Sequence, residues 1–378
     1  MTCSERGETT RDELRSKGAQ SRLVGILLLN YNGWRYTVEC LESLGHLRYR
    51  DFWVVLVDNG STDDSVDRIR AWARGEVPVE SPFFEGPGWA KPVRLVEYDG
   101  EPSPEQVAAE PAAEGPYVTL IRLPENRGFA AGNNVAIRYA LARGAEWTWL
   151  LNNDTVVTPD SLTEMLRAAH KDPRVGVVGC KLLYYDRPDT IQAAGGGRFY
   201  FWLGIARHYG WMQKDDGRWD QPFEPHYVTG ASMLVRAQCW QKVGFLDEAF
   251  FFYAEETEWQ LRARRKGYTS AYAPTSRVHH REGATVGRAN SASDFFATRS
   301  ALRLCAQYAR FALPTVAGVC LLRALRRLTR GEWARARAIG EALFEHLYAE
   351  TLSRDAKIFW PRYMAKAKPQ ASCPRRQG

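Results

Sequence analysis

Trp147-Thr148-Trp149-Leu150-Leu151-Asn152-Asn153-Asp154-Thr155 is an apolar run that stops abruptly on two amides and a carboxylate. Val156-Val157-Thr158-Pro159-Asp160 follows, in which Thr158 is placed to N-cap a helix that Pro159 opens at its first position. The stretch reads strand, polar end, short link, helix. In a parallel α/β sheet, ligands bind outside the carboxyl ends of the strands. A lone Asp at such an end, beside amides, suits a divalent metal or a phosphate-bearing ligand. It equally suits a turn held by Asx hydrogen bonds.

The same pattern recurs on either side. Leu23-Val24-Gly25-Ile26-Leu27-Leu28-Leu29 is continuously apolar, as a strand covered on both faces must be, and it ends at Asn30-Tyr31-Asn32-Gly33. Phe52-Trp53-Val54-Val55-Leu56-Val57 is a second such strand, ending at Asp58-Asn59-Gly60-Ser61-Thr62-Asp63. Each is followed by helical spacing, and two strand–helix units in succession predict a parallel sheet with right-handed crossovers. Residues 75–116, dense in Pro, Glu and Gly, break the rhythm. They read as a surface insertion with strand character only at 93–98. Strands resume at 118–123, 147–151 and 175–179. The aromatic stretch 202–220 reads as a flexible hairpin or lid, and residues 227–235 read as one strand. A helix then starts at Glu255-Glu256-Thr257-Glu258, after four aromatic residues, and Val278-His279-His280 ends the last strand.

The chain has 378 residues, 45% of them hydrophobic, enough to bury a sizeable core. Its formal charge of +7 fits an anionic ligand or surface. Seven dispersed cysteines with no C-x-x-C pair argue against a disulfide framework or a zinc site and for a reducing compartment. Residues 1–20 are polar, lack the apolar core of a signal peptide, and are expected to be a disordered tail. No apolar run reaches the roughly 18 residues of a spanning helix. The expected location is the cytoplasm. From Arg299 to Arg337 there are nine Arg against one acidic residue, Glu332, with Leu and Ala at helical spacing. This basic helical tail, 291–378, reads either as a face for an anionic membrane leaflet or as helices packed on the domain or on another subunit.

Four strand ends carry polar groups: Asn30, Asp58, Asp154 and His280. Their convergence at one sheet edge is the mark of a nucleotide site. Asp58 suits the imide N–H of uracil or thymine, which cytosine does not offer, or else an Asx turn. Arg127-Gly128 with Gly132 opens a helix where backbone N–H groups approach a diphosphate. No Gly-Lys-Ser/Thr follows it, and no G-x-G-x-x-G ends the first strand, so neither a Walker A loop nor a nicotinamide site is indicated. Glu255, Glu256 and Glu258 lie in a first helical turn, where acids complement the helix dipole. Beside an aromatic wall, one of them also suits a general base.

The order Asn30-Tyr31-Asn32, Asp58-Asn59-Gly60-Ser61-Thr62-Asp63, Asn126-Arg127-Gly128-Phe129, Asn152-Asn153-Asp154 and Glu255-Glu256 resembles family 2 glycosyltransferases, most closely the rhamnosyltransferase-like branch. The likeness runs from about Leu23 to Gly287. It implies an α/β GT-A fold, a Rossmann-like, mostly parallel sheet over residues 21–290, extended by the C-terminal helices. It also implies a dTDP- or UDP-sugar donor, a glycan or lipid-linked acceptor, an inverting transfer and a Mg²⁺ or Mn²⁺ ion, with no nucleic-acid partner. By position, Asn30 and Asp58 hold the base and Arg127 with Asn133 the ribose or diphosphate. Tyr31, Asn59, Gly128, Asn152 and Asn153 complete the donor set. Asp154 stands at the D-x-D metal position, with His280 near the metal and diphosphate. Glu256 falls at the base position, and Glu255 is its alternative. The first D-x-D position is Asn152, which leaves one carboxylate for the metal, and the base is Glu where the family commonly has Asp. Two other readings compete: a sugar-nucleotide-binding scaffold or sensor, and a nucleotidyltransferase, although the latter wants a glycine-rich basic loop that residues 30–34 do not form.

Overall fold

The structure is a computed structural model and describes residues 23–110, 116–281, 290–351, 359 and 362–363. The expected tail 1–20 lies outside them, as do the last 15 residues of the C-terminal region. Strands β1 (Val24–Asn30), β2 (Phe52–Asp58), β4 (Val118–Arg122) and β5 (Trp147–Asn152) run parallel, with β3 (Leu95–Asp99) parallel to β4 at the edge. Beyond β5 the 10-stranded sheet continues through β12 (Ser232–Arg236), β7 (Val175–Tyr184), β13 (Thr269–His280) and β6 (Thr155–Val157), with β8 (Arg187–Ala194) paired to β7. Here antiparallel pairs mix with the parallel β7–β13 pair.

The apolar runs are continuous because both faces are covered. Ile26, Leu28, Leu56, Trp149 and Leu151 point to one core, which is closed by α1 (Trp34–Gly45), α2 (Ser65–Arg74) and α5 (Ser161–Ala169). Leu27, Val55, Val57 and Leu150 point to the other, against α4 (Gly128–Ala142), α6 (Ala237–Val243) and α7 (Glu255–Arg265). After β1 the chain builds outward through β2 to β3 and β4, then returns to the other flank of β1 as β5. That reversal is a topological switch point, where open α/β sheets bind ligands. Register aligns the polar ends there, with Asn30 opposite Asp58 and Leu29 opposite Asn152.

The structure departs from expectation in four places. Residues 155–157 pair with β13 as strand β6, so Pro159 falls in the turn and the helix starts at Ser161 with Asp160 as N-cap, not Thr158. The segment read as a surface insertion supplies the edge strand β3, and α3 (Pro104–Ala109) opens on a Ser103/Gln106 capping box. It also buries Trp89, while the Gly88 N–H and the Lys91 ammonium both bond the buried Glu42 carboxylate at 2.8 Å. The strand expected over 227–235 is split into β11 (Tyr227–Val228) and β12.

The fourth place is the aromatic segment expected to be a flexible hairpin or lid: a hairpin is present, and the segment is anchored. β9 (Gly196–Tyr200) and β10 (Ile205–His208) form a hairpin, and the fully buried Lys181 ammonium bonds Asp215 at 2.7 Å and also Asp220. A buried cation persists only when paired in this way. The C-terminal chain forms α8 (Ser291–Tyr308), α9 (Leu313–Leu328) and α10 (Trp333–Thr351). It packs on this hairpin: the Cys305 thiol donates to Phe201 O at 3.5 Å and the Thr315 hydroxyl to Trp202 O at 3.0 Å.

Candidate active site

At the β1 and β2 ends the polar groups first satisfy one another. Asp58 is 2% exposed; its Oδ1 accepts the Ser61 N–H at 3.0 Å, and its Oδ2 accepts the Asn30 amide at 2.8 Å and the Ser61 hydroxyl at 2.6 Å. An ionised carboxylate offers about four lone-pair directions, so Asp58 holds its own loop at Ser61 and keeps capacity for one more donor. Asn30 Oδ1 accepts the Thr37 hydroxyl at 2.8 Å, and Asn153 donates to that same hydroxyl at 2.8 Å. Asn59 donates to Asn126 and to Gly128 O and accepts the Arg127 N–H at 3.1 Å, so it clamps the 126–128 turn onto the end of β2. Asn133 donates back to Phe129 O at 2.9 Å inside α4. Of the residues assigned to the donor by position, Asn59, Asn133 and Asn153 thus hold protein groups. Tyr31 is half-buried and Arg127 is exposed.

The β5 end differs, because there a charge is left over. Asp154 is 5% exposed and its buried Oδ1 has no hydrogen-bond partner. His280 Nε2 lies 3.1 Å from that oxygen and 3.3 Å from the Asn152 amide nitrogen. The other ring nitrogen, Nδ1, faces Gln192 Oε1 at 2.8 Å, and in the tautomer that donates to this oxygen Nε2 presents its lone pair. Two lone pairs then face each other across 3.1 Å, and either a proton on Nε2 or a cation between the atoms relieves the contact. Neighbouring oxygen ligands on a Mg²⁺-sized ion with bonds of about 2.1 Å lie about 3 Å apart, so the pair fits such an ion. Gln192 fills the outer role that orients a ligating histidine. Among the described residues no group of three or more His, Cys, Asp or Glu converges. The remaining ligands would therefore come from phosphate and water, the usual Mg²⁺ arrangement. Burial pushes the nearby Cys40 thiol up to about 12, and its Sγ lies 3.6 Å from Thr155 Oγ1.

The two expected base candidates open α7 after a strained approach, with Tyr253 and Ala254 both left-handed at φ 71° and 65°. Glu255 is 5% exposed with Oε2 unpaired, and burial followed by the Glu256 charge raises its carboxyl well above the usual range. Burial pushes Glu256 up to about 7, offset in part by the N–H groups of Glu256 and Thr257 and by the Thr257 hydroxyl. Glu258 plays a structural part: it pairs with Arg262 at 2.9 Å and accepts the Tyr308 hydroxyl at 2.7 Å. Gln260 fastens α7 to β11 by a reciprocal pair, Val228 N–H to its Oε1 at 2.7 Å and its amide to Val228 O at 2.8 Å. Between the two chemical centres runs the 229–231 turn. Asn152 N–H bonds Ala231 O at 3.0 Å, and a Cβ built on Gly230 would sit 3.7 Å from that of Glu256. His279 is turned away from Asp154 and stacks on Phe83 at 3.9 Å.

Sequence reasoning missed Thr37, Ser61, Gln192 and Gln260. The signal available for Gln192 is a polar residue inside the apolar run Ile191-Gln192-Ala193-Ala194. For Gln260 it is the one-turn spacing from Glu256.

The Glycosyl transferase family 2 profile matches residues 26–85 and the Glycosyl transferase family group 2 profile matches residues 147–331. An O-antigen biosynthesis protein of Myxococcus xanthus is 30% identical over 46% of this chain and 14% of its own length. An N-acetylglucosaminyl-diphospho-decaprenol L-rhamnosyltransferase of Mycobacterium tuberculosis is 26% identical over 46% of this chain and 62% of its own. The chain thus spans less than two thirds of the length of these relatives. A mannosyltransferase of Pyrobaculum calidifontis, solved with GDP-Man and Mn²⁺, superposes with a TM-score of 0.50 at 16% identity, covering 86% of this chain and 87% of that one. The α/β GT-A fold with C-terminal helices is therefore present as expected. The two profiles fall on the strand ends that carry Asn30, Asp58, Asn152 and Asp154, and the chain belongs to glycosyl transferase family 2.

Proposed function

We propose that the chain is an inverting, metal-dependent glycosyltransferase that moves a hexose from a dTDP- or UDP-sugar to a hydroxyl of a cell-surface glycan or its lipid-linked precursor. Rhamnose is the leading sugar, since the mycobacterial relative is named for its transfer. The observation that carries the reading is the orphaned Asp154 oxygen facing His280 at a strand end, with a raised carboxyl, Glu256, across the 229–231 turn. Asp154 and His280 would hold Mg²⁺ or Mn²⁺. When bound, the ion neutralises charge developing on the departing diphosphate. Asp58 keeps one acceptor direction for a pyrimidine imide, and the Asn30–Thr37–Asn153 network fixes the floor beneath it. Glu256 takes the acceptor hydroxyl proton as that oxygen attacks the anomeric carbon from the side opposite the diphosphate. One displacement inverts the centre.

A thermal-shift panel of dTDP, UDP, GDP, CDP and ADP, each with and without Mn²⁺, tests the binding half. Saturation at about 100 times Kd adds roughly 2.7 kcal/mol to stability. The expected result is stabilisation by dTDP or UDP that needs the metal, and its loss in Asp58→Ala. Stabilisation by GDP or ADP alone would overturn the base assignment, and binding without donor hydrolysis or transfer would leave the scaffold reading.

The acceptor end of this reading includes contact with an anionic membrane. Among the described residues no helix is long and apolar enough to cross one. Yet α9 exposes Leu321, Leu322 and Leu325 at 61%, 68% and 57% beside the exposed Arg326, with Trp333 at 69% following. Trp202, on the docked hairpin, packs against Phe311 with ring centroids 5.0 Å apart and the planes tilted by 56°, and both are exposed. Leu, Trp and Phe beside Arg make an interfacial surface. Co-sedimentation should be stronger with vesicles containing anionic lipid than with neutral ones, and should fall in Leu321→Ser/Leu325→Ser. Equal binding to both vesicle types would remove the electrostatic part.

A further inference from the structure

The loop that delivers Glu255 and Glu256 is braced from behind by the C-terminal helices. Working along it, Asp247 pairs with Arg303 at 3.2 Å, and Ala249 O accepts the Arg299 guanidinium at 2.8 Å. Phe251 stacks on Phe296 at 4.8 Å and 28°, and Phe252 O accepts the Ser300 hydroxyl at 2.9 Å. Arg299 is in turn fixed by Glu345 of α10, Nε to Oε1 at 2.9 Å, with the two side chains 11% and 2% exposed. On its front the same loop meets the donor side. Phe251 O accepts the Phe129 N–H at 2.9 Å, and a Cβ on Gly128, whose φ is +84°, would sit 2.4 Å from the Phe251 ring.

The brace answers a physical need. Tyr253 and Ala254 are consecutive non-glycine residues in the left-handed region. Such conformations cost free energy and persist only where the surroundings over-determine them. Without external anchors the pair would relax and re-aim the first turn of α7. The anchors lie just upstream, at the carbonyls of residues 249 and 252, and come from α8.

We propose that Arg299, Ser300 and Glu345 are positioning residues of the transfer reaction, holding the 247–254 loop in the left-handed form that aims Glu256. This rests on the reading of Glu256 as the base. It makes α8 and α10 part of the catalytic apparatus, separately from the membrane-facing role of α9.

The test uses the full chain with Ser300→Ala, Ser300→Thr, Arg299→Lys and Glu345→Gln, followed by hydrogen exchange, nucleotide binding and turnover. Arg299→Lys keeps the charge facing Glu345 but loses the forked reach to Ala249 O, and Ser300→Thr keeps the hydroxyl. In Ser300→Ala, Arg299→Lys and Glu345→Gln the amides of residues 250–258 should exchange faster. In these three, kcat should fall about 10- to 100-fold, as displacement of a catalytic group by an ångström does. UDP or dTDP Kd should stay within about twofold, since the Asp58 and Asp154 ends are untouched, and Ser300→Thr should behave as wild type. Unchanged exchange in the loop, or a loss of turnover matched by an equal loss of folded protein, would overturn the brace. Faster exchange in a chain whose wild type neither hydrolyses nor transfers any donor would uphold the brace and sink the catalytic reading instead.

Discussion

Glu256→Gln should lower turnover by about 10²- to 10⁴-fold, the contribution of a general base, while leaving donor affinity nearly unchanged. The amide keeps the shape of the carboxyl and its place above Gly230, but it accepts no proton. The pH dependence follows from the same group. Its carboxyl is pushed up to about 7, chiefly by burial. Above that value the base is ionised and competent; below it the base carries a proton already. So kcat/KM should fall as pH drops through about 7, and this limb should vanish from the residual activity of Glu256→Gln. Of its ionisable neighbours, Glu255 is pushed up by burial and then by the Glu256 charge, and Tyr227 by burial. Because the two carboxyls interact, Glu255→Gln should move the limb without erasing it. If Glu255→Gln erased the limb and Glu256→Gln preserved it, the base would be Glu255.

The parts of this site that were legible in the sequence share one property: their signal is local. Each apolar run ends in a polar residue, which locates Asn30, Asp58 and Asp154 at strand ends, because period and burial are written within six or seven residues. The acidic start of α7 is visible in the same way. What stayed hidden depends on partners far along the chain. Gln192 and His280 are 88 residues apart, and nothing near either predicts their bond. The tail's composition suggested helices, but not that Arg299 and Ser300 cap carbonyls some 50 residues upstream. The amides show the converse limit. Asn59, Asn133 and Asn153 look like ligand-binding groups, yet a buried amide must be satisfied whether or not a ligand is present, and the amide N–H groups of all three donate to protein oxygens. The helix start at Ser161 was misplaced for a similar reason. Thr158 is a good cap by type, but pairing of residues 155–157 with β13 keeps the chain extended past it.

Asp154→Asn should abolish the Mn²⁺-dependent part of nucleotide stabilisation, up to about 2.7 kcal/mol at 100 times Kd, while the metal-free protein melts no lower than wild type. The second half of the expectation is the sharper one. Removing a buried carboxylate from a structural ion pair costs about 3–5 kcal/mol, because a partner charge is stranded. Here, among the described residues, Oδ1 has no hydrogen-bond partner, and His280 Nε2 faces it at 3.1 Å. An asparagine at 154 can turn its N–H toward that lone pair, converting two opposed acceptors into a donor–acceptor contact. A site built to fold would weaken on this change; a site built to hold a cation should not. Should Asp154→Asn lower the melting temperature of the metal-free protein by several degrees, Asp154–His280 would be an imidazolium–carboxylate pair serving stability. Should the variant keep its Mn²⁺-dependent shift, the ion would bind elsewhere, and the orphaned oxygen would need another explanation.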